Sequence, residues 1–381
     1  MQRRLECAAS VHSWEAVDLH VEEAKAMGRQ LVCDLERLLQ RIADSIMERT
    51  SARSVKEVLL TTLPPCFLGV FAYLTTADVG RCHCVAAAWH AVLACDGVLS
   101  RSITTPAARW RYWRHFAPLH ELDYTLFLQP SVHDELIGKE VARTTFYPKE
   151  LLYPESKPHG YLYRLGSSVS PSPLLLELQA KLTAVFQAAA CFNPHTGYGH
   201  GMSFTGAALL TCLGYDEVAT FTAWCLLLEH RCMAGLWEGA AFGAGLDYRL
   251  HQLTHCMLTY LPAMSKMLAV HGVATPMFAS SWVLSLFLHE RSLPPAVLAH
   301  VLDAFVQEGW PAMFAIYVGL LVVHEEEVLQ SSSDLLQTLL SLPRRLGDHG
   351  LGRYRLVAYT MLTPPLASLL AAYEADMAPP P

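Results

Sequence analysis

Positive charge is not in excess in this chain of 381 residues: Lys and Arg number 28 against 35 Asp and Glu, a formal net charge of -7. That balance leaves no electrostatic footprint for a nucleic acid and no polybasic lipid anchor, so neither is expected as a partner. Long apolar runs are missing too. Ala312 to Val323 falls short of the ~20 residues a bilayer span needs, and the run from Gly272 to Leu288 is broken by Pro276 and Ser280-Ser281. No transmembrane segment is expected. The amino terminus shows no apolar signal core, and Glu6, Glu15, Asp18, Glu22 and Glu23 argue against a transit peptide, which makes a cytoplasmic location the expectation. The cysteines number 11, an odd count without regular spacing, which suits small buried hydrophobes and not a disulfide framework.

Several catalytic signatures are also missing. There is no G-x-x-x-x-G-K-[ST], so the chain does not bind GTP through a P-loop of its own, and no G-x-S-x-G elbow. His324-Glu325-Glu326-Glu327 lacks the second histidine of H-E-x-x-H. His195, His200 and His230 lack zincin spacing, and Cys82-His83-Cys84 has no second ligand pair. No metal is expected. Sustained period-two alternation is found nowhere, which excludes a half-buried sheet and leaves an all-α fold.

What is there is helical periodicity. Over 1–54 an apolar stripe runs through Trp14, Val17, Val21, Ala24, Leu31, Leu35, Leu38, Ile42 and Ile46. It reads either as a dimerising coiled coil or as a helix packed on its own chain; Gly28 at a seam position favours the second. In 55–104, Pro64 and Pro65 suit a first helical turn, Phe67, Leu68, Phe71 and Leu74 recur at helical spacing, and Thr75 to Asp78 supply caps. From Arg109-Trp110-Arg111-Tyr112-Trp113-Arg114 the composition turns basic and aromatic, read as packing with arginines that snorkel to water. Five prolines between Tyr147 and Pro173 predict a long loop inserted near 147–173. Asp303 reads as a structural acid near a helix end. The region 346–381 reads as a final helix and a tail.

Two short stretches carry chemistry. Ile137 to Thr144 places Glu140 and Arg143 one helical turn apart, and Tyr198-Gly199-His200-Gly201-Met202 opens an apolar helix. Glu140 can hold the Arg143 side chain by a charge-assisted hydrogen bond, and Gly201 lets backbone approach a partner closely. Together the stretches resemble the two catalytic signatures of the TBC domain, the GTPase-activating module for Rab-type small GTPases, whose patterns read I-x-x-D-x-x-R and Y-x-Q-G-M. Arginine stands where the family has it, while Glu140 replaces the aspartate and His200 the glutamine. Phe221 with Trp224, Leu261-Pro262, Phe278 with Trp282 and Phe287, and Leu302 to Phe305 before Glu308-Gly309 extend the resemblance over 105–345.

The resemblance implies a helical domain that binds a Rab-family GTPase and stimulates hydrolysis of the Mg-GTP bound there, needing no cofactor of its own. Such a protein regulates another's reaction in vesicle trafficking and is recruited to endomembranes by its GTPase. Arg143 is then the arginine finger and His200 the finger residue in the glutamine position, with Ile137, Glu140, Thr144, Tyr198, Gly201 and Met202 in support. An imidazole cannot donate and accept together at one end as an amide does. If neutral, His200 hydrogen-bonds the attacking water or stands aside for the GTPase's own glutamine; if protonated, it adds charge near the phosphate. The pattern of Leu63, Pro64, Phe71, Leu74 and Trp89 resembles the F-box, which implies a Skp-type adaptor of an SCF ubiquitin ligase as a partner. The alternative reading is accordingly a non-catalytic Rab-binding scaffold, or an F-box adaptor linking a small GTPase to that ligase.

Overall fold

The structure, a computed structural model, describes residues 103, 105–114, 122–146, 172–238, 243–331, 333–349 and 351–377. The stripe of 1–54, the F-box-like residues Leu63, Pro64, Phe71, Leu74 and Trp89, Cys82 to Cys84 and the proline-rich stretch up to 171 lie outside the described residues. Among the described residues every regular element is helical, as the absence of alternation predicts.

Proline and short polar caps set the helix starts. Helix α1 (Pro106–Trp113) begins with a proline at its first position, and the Thr105 hydroxyl accepts the Ala108 amide at 3.2 Å. A 3₁₀ turn at Tyr124–Phe127 leads to α2 (Asp134–Arg143). Helix α3 (Pro173–Phe192) repeats the proline start, with the Ser172 hydroxyl accepting the Leu175 amide at 3.1 Å. Then come α4 (Met202–Cys212) and α5 (Glu217–Glu229), the latter capped by the Asp216 carboxylate on the Ala219 amide at 2.9 Å. The chain continues through α6 (Ala244–Tyr260), α7 (Pro262–Val270), α8 (Thr275–Ser285), α9 (Pro295–Glu308) and α10 (Trp310–Val323). It closes with α11 (Glu325–Gln330), α12 (Leu335–Ser341), α13 (Leu346–His349), α14 (Leu351–Thr360) and α15 (Leu366–Met377).

The apolar run that is too short to span a membrane is the centre of the fold. Every residue from Ala312 to Leu321 in α10 is buried, because α6, α9 and α14 surround it and leave no face that water could reach. Its Tyr317 hydroxyl donates to the Trp282 carbonyl at 3.1 Å and its ring packs against Trp282 and Phe287, so with Phe278 these landmarks form one contiguous cluster. Since α14 packs on α10, the helical body continues beyond position 345.

Helix α3 was not singled out in the sequence, and it starts at Pro173, the expected end of the inserted loop. With 20 residues it is the one unbroken helix among the described residues long and apolar enough to cross a membrane, judged by length and composition alone. Glu177 and Lys181 interrupt its apolar run in sequence, yet they pair at 3.0 Å on one side while Leu178, Leu182, Val185 and Phe186 are buried on the other, toward α2 and α5. It is a core helix of this fold.

Two expectations are corrected around Asp303. The residue stands in the middle of α9, not near its end. Its fully buried carboxylate accepts from Arg109 Nε at 3.1 Å and from the Trp113 indole at 2.8 Å. Arg109 therefore turns inward on α1 instead of snorkelling, and the basic-aromatic helix is fastened to α9 by a buried ion pair. Burial pushes the Asp303 carboxyl up, while Arg109 and Trp113 pull it the other way.

Candidate functional site

Helix α2 carries the first stretch. Ile137 and Val141 are buried on one side, against α3, which fixes the helix's rotation. Leu136, Glu140 and Arg143 follow at intervals of four and three and so share another face. Arg143 is the last residue of the helix, where its positive charge complements the dipole. The chain then turns extended at Thr144, whose buried hydroxyl donates to the Glu140 carbonyl at 2.9 Å and closes the last turn. The Arg143 side chain is 68% exposed.

The second stretch is a turn leading into α4. Tyr198 is buried edge-on against Phe186 with ring centroids 5.0 Å apart, and burial pushes its phenol well up, the Glu140 carboxylate adding to the shift. Gly199 lies so near Trp237 that a Cβ would come within 2.5 Å of the indole Cδ1, and its amide donates to the buried Met202 Sδ at 3.2 Å. Gly201, the residue before α4, has φ +90°, a left-handed conformation that side chains resist. Between these glycines, the His200 carbonyl accepts the Trp237 indole N–H at 2.9 Å. Trp237 was not singled out from the sequence; its signal was only that of one more buried aromatic.

Glu140 joins the two stretches. One carboxylate oxygen lies 4.0 Å from Arg143 Nη1 and the other 3.2 Å from His200 Nδ1. The Glu140 side chain is 13% exposed, whereas His200, like Arg143, is about two-thirds exposed at 67%. A nearly buried carboxylate thus steadies two outward-facing side chains, one permanently cationic and one able to become so. The eight residues of the two stretches singled out in the sequence fall in this one place: Ile137, Thr144, Tyr198 and Met202 as buried support, Gly201 at the turn, and Glu140, Arg143 and His200 toward or at the surface. Among the described residues no group of three His, Cys, Asp or Glu side chains could hold a metal ion.

Residues 174–329 match the family model described as the Rab-GTPase-TBC domain, a span that includes His200 and follows Arg143. The chain is 30% identical over 173 residues to Small G protein signaling modulator 3 of Rattus norvegicus, covering 44% of this chain and 22% of that protein. It is 27% identical over 226 residues to the Rab GTPase-activating protein tbc-11 of Caenorhabditis elegans, covering 58% and 21%. The chain thus spans about a fifth of the length of these curated relatives. A solved structure, the Chlamydomonas flagellar RabGAP TBC domain, superposes with a TM-score of 0.44 at 18% identity, over 88% of this chain and 93% of that one. Residues 174–329 of this helical chain are thus similar to the Rab-GTPase-TBC domain.

Proposed function

We propose that this chain is a GTPase-activating protein for a Rab-family small GTPase, with Arg143 as the arginine finger and His200 in the position of the water-orienting finger. The observation that carries the reading is the convergence of both exposed side chains on the single carboxylate of Glu140. Hydrolysis needs positive charge on the γ-phosphoryl oxygens and a group that orients the attacking water. A guanidinium forks to two oxygens and stays charged. Held only loosely, at 4.0 Å, Arg143 can leave Glu140 for a phosphate at little cost. Ile137 and Thr144 fix the end of α2, while Tyr198, Gly201 and Met202 fix the turn. The GTP and its Mg²⁺ belong to the partner, which brings the protein to its membrane.

The test is a GTP-hydrolysis assay over a panel of purified Rab proteins, with the wild type and Arg143→Ala. At least one Rab should be stimulated, and the variant should lose about 10³-fold or more of that stimulation. Binding throughout the panel without any stimulation would replace this reading by the scaffold. One observation favours that second reading: the ring in the finger is already engaged at Nδ1 and lacks an amide's adjoining donor and acceptor. The Skp-type adaptor belongs with the scaffold and depends on Leu63, Pro64, Phe71, Leu74 and Trp89.

A further inference from the structure

The two positions at which this chain departs from the family patterns are the two that touch each other. Glutamate is one methylene longer than aspartate, and it is the extended carboxylate of Glu140 that lies 3.2 Å from His200 Nδ1. A bare nitrogen lone pair against a carboxylate is repulsive, so the ring proton resides on Nδ1 and Nε2 is left as an acceptor. The backbone beneath the ring is fixed by the Trp237 indole on the His200 carbonyl and by the left-handed Gly201. The charged and titratable groups around the finger are Glu140 and Arg143 on α2, His133 just ahead of that helix with its ring against Gly197, and Glu238 next to Trp237.

Building on the activator reading, we infer that Glu140 and His200 work as a carboxylate–imidazole pair, in which Glu140 is a positioning residue that sets the tautomer and His200 Nε2 accepts a hydrogen bond from the attacking water. The water oxygen bonds to the γ-phosphorus as the bond to the β–γ bridging oxygen breaks, and that electron pair leaves with GDP. The water's protons end on the phosphate product and in solvent; Nε2 directs the water and keeps no proton. When Arg143 moves to the phosphate, Glu140 has His200 as its remaining partner and the pair tightens. In place of a glutamine amide that donates and accepts, this finger has an acceptor whose direction a second residue sets.

The experiment is single-turnover GTP hydrolysis by a responsive Rab, less its intrinsic rate, with the full chain and the variants Glu140→Gln, Glu140→Asp, His200→Gln and the double Glu140→Asp/His200→Gln. Glu140→Gln and His200→Gln should each lower the stimulated rate at saturation at least ~10-fold while leaving half-saturation unchanged. The double variant, which restores a matched aspartate and glutamine, should recover to within about threefold of wild type, a coupling that independent sites do not show. His200 is exposed, so His200→Gln folds irrespective of Glu140, and unfolding curves check the Glu140 variants. If His200→Gln is unchanged or faster while Arg143→Ala still abolishes stimulation, the pair is a bystander and the activator reading stands. A double variant no better than its singles also overturns the pairing. A wild type that stimulates no Rab removes the activator reading itself.

Discussion

The clusters at α9 and α2 each hold a carboxylate between an arginine and a nitrogen ring, and they differ in how far water reaches them. At α9, Asp303 is fully buried, its Arg109 partner is 11% exposed, and the Trp113 indole completes the set. At α2, Glu140 is 13% exposed, but Arg143 and His200 are open at 68% and 67%. In the first cluster Arg109 and Trp113 both turn inward to the carboxylate, Arg109 reaching the Ile103 carbonyl as well, and α1 is locked to α9. In the second the carboxylate is held and its partners are not, so they can be taken over by another molecule. The chemistry is the same; burial makes one a fastening and leaves the other open to solvent.

The comparison breaks most visibly by deletion. Asp303→Ala strands the Arg109 charge in the interior and should destabilise the fold by roughly 3–5 kcal/mol in urea unfolding, whereas Glu140→Ala should cost no more than about 1 kcal/mol because its partners are already hydrated. Equal losses at the two sites would erase the distinction. A smaller effect comes from His300, which burial, helped by Arg109 and Arg355, pushes down to about 4. The unfolded chain takes up that proton first, so the stability that a neutral His300 allows is present above about pH 6.5. It drains away as pH falls toward about 4, by roughly 3 kcal/mol in all. His300→Gln should flatten that part of the stability profile, and a variant with the wild-type slope would show that His300 does not carry it. The smallest effect is expected at Trp237. Trp237→Phe keeps the ring against Gly199 but removes the donor to the His200 carbonyl, for a loss of about 1 kcal/mol in unfolding. A loss several times larger would mean that packing, not the hydrogen bond, is the indole's main contribution.

How much of this could be read from the chain depended on the range of the interaction. The all-helical class was legible from the absence of period-two alternation, while the caps at Thr105-Pro106, Ser172-Pro173 and Asp216 were not singled out, Pro173 having been read as the end of a loop. The landmarks Phe221, Trp224, Phe278, Trp282 and Phe287 were legible through the family resemblance, and each is buried. Arg143 and His200 were legible as motifs, because their signatures are local. What was hidden involved partners distant in sequence. Asp303 looked like the acid of a helix end, since nothing near it in sequence announces Arg109 and Trp113, which lie 194 and 190 positions away. The Glu140 to His200 contact was hidden likewise, as was the indole of Trp237 behind the finger. Helix α3 was not singled out at all; Glu177 and Lys181, an i,i+4 pair on its outer side, break its apolar run in sequence.

The indole bond to the His200 carbonyl has a consequence for the timing of order. A finger that is loose until its target arrives gives up backbone freedom at the moment of encounter, about 1–2 kcal/mol for each residue that becomes fixed. Here the peptide that carries the ring is tied by Trp237 and turned by Gly201 while its side chain remains 67% exposed. The backbone disorder is removed when the chain folds, and only rotation about the two side-chain bonds is left for an incoming partner to arrest.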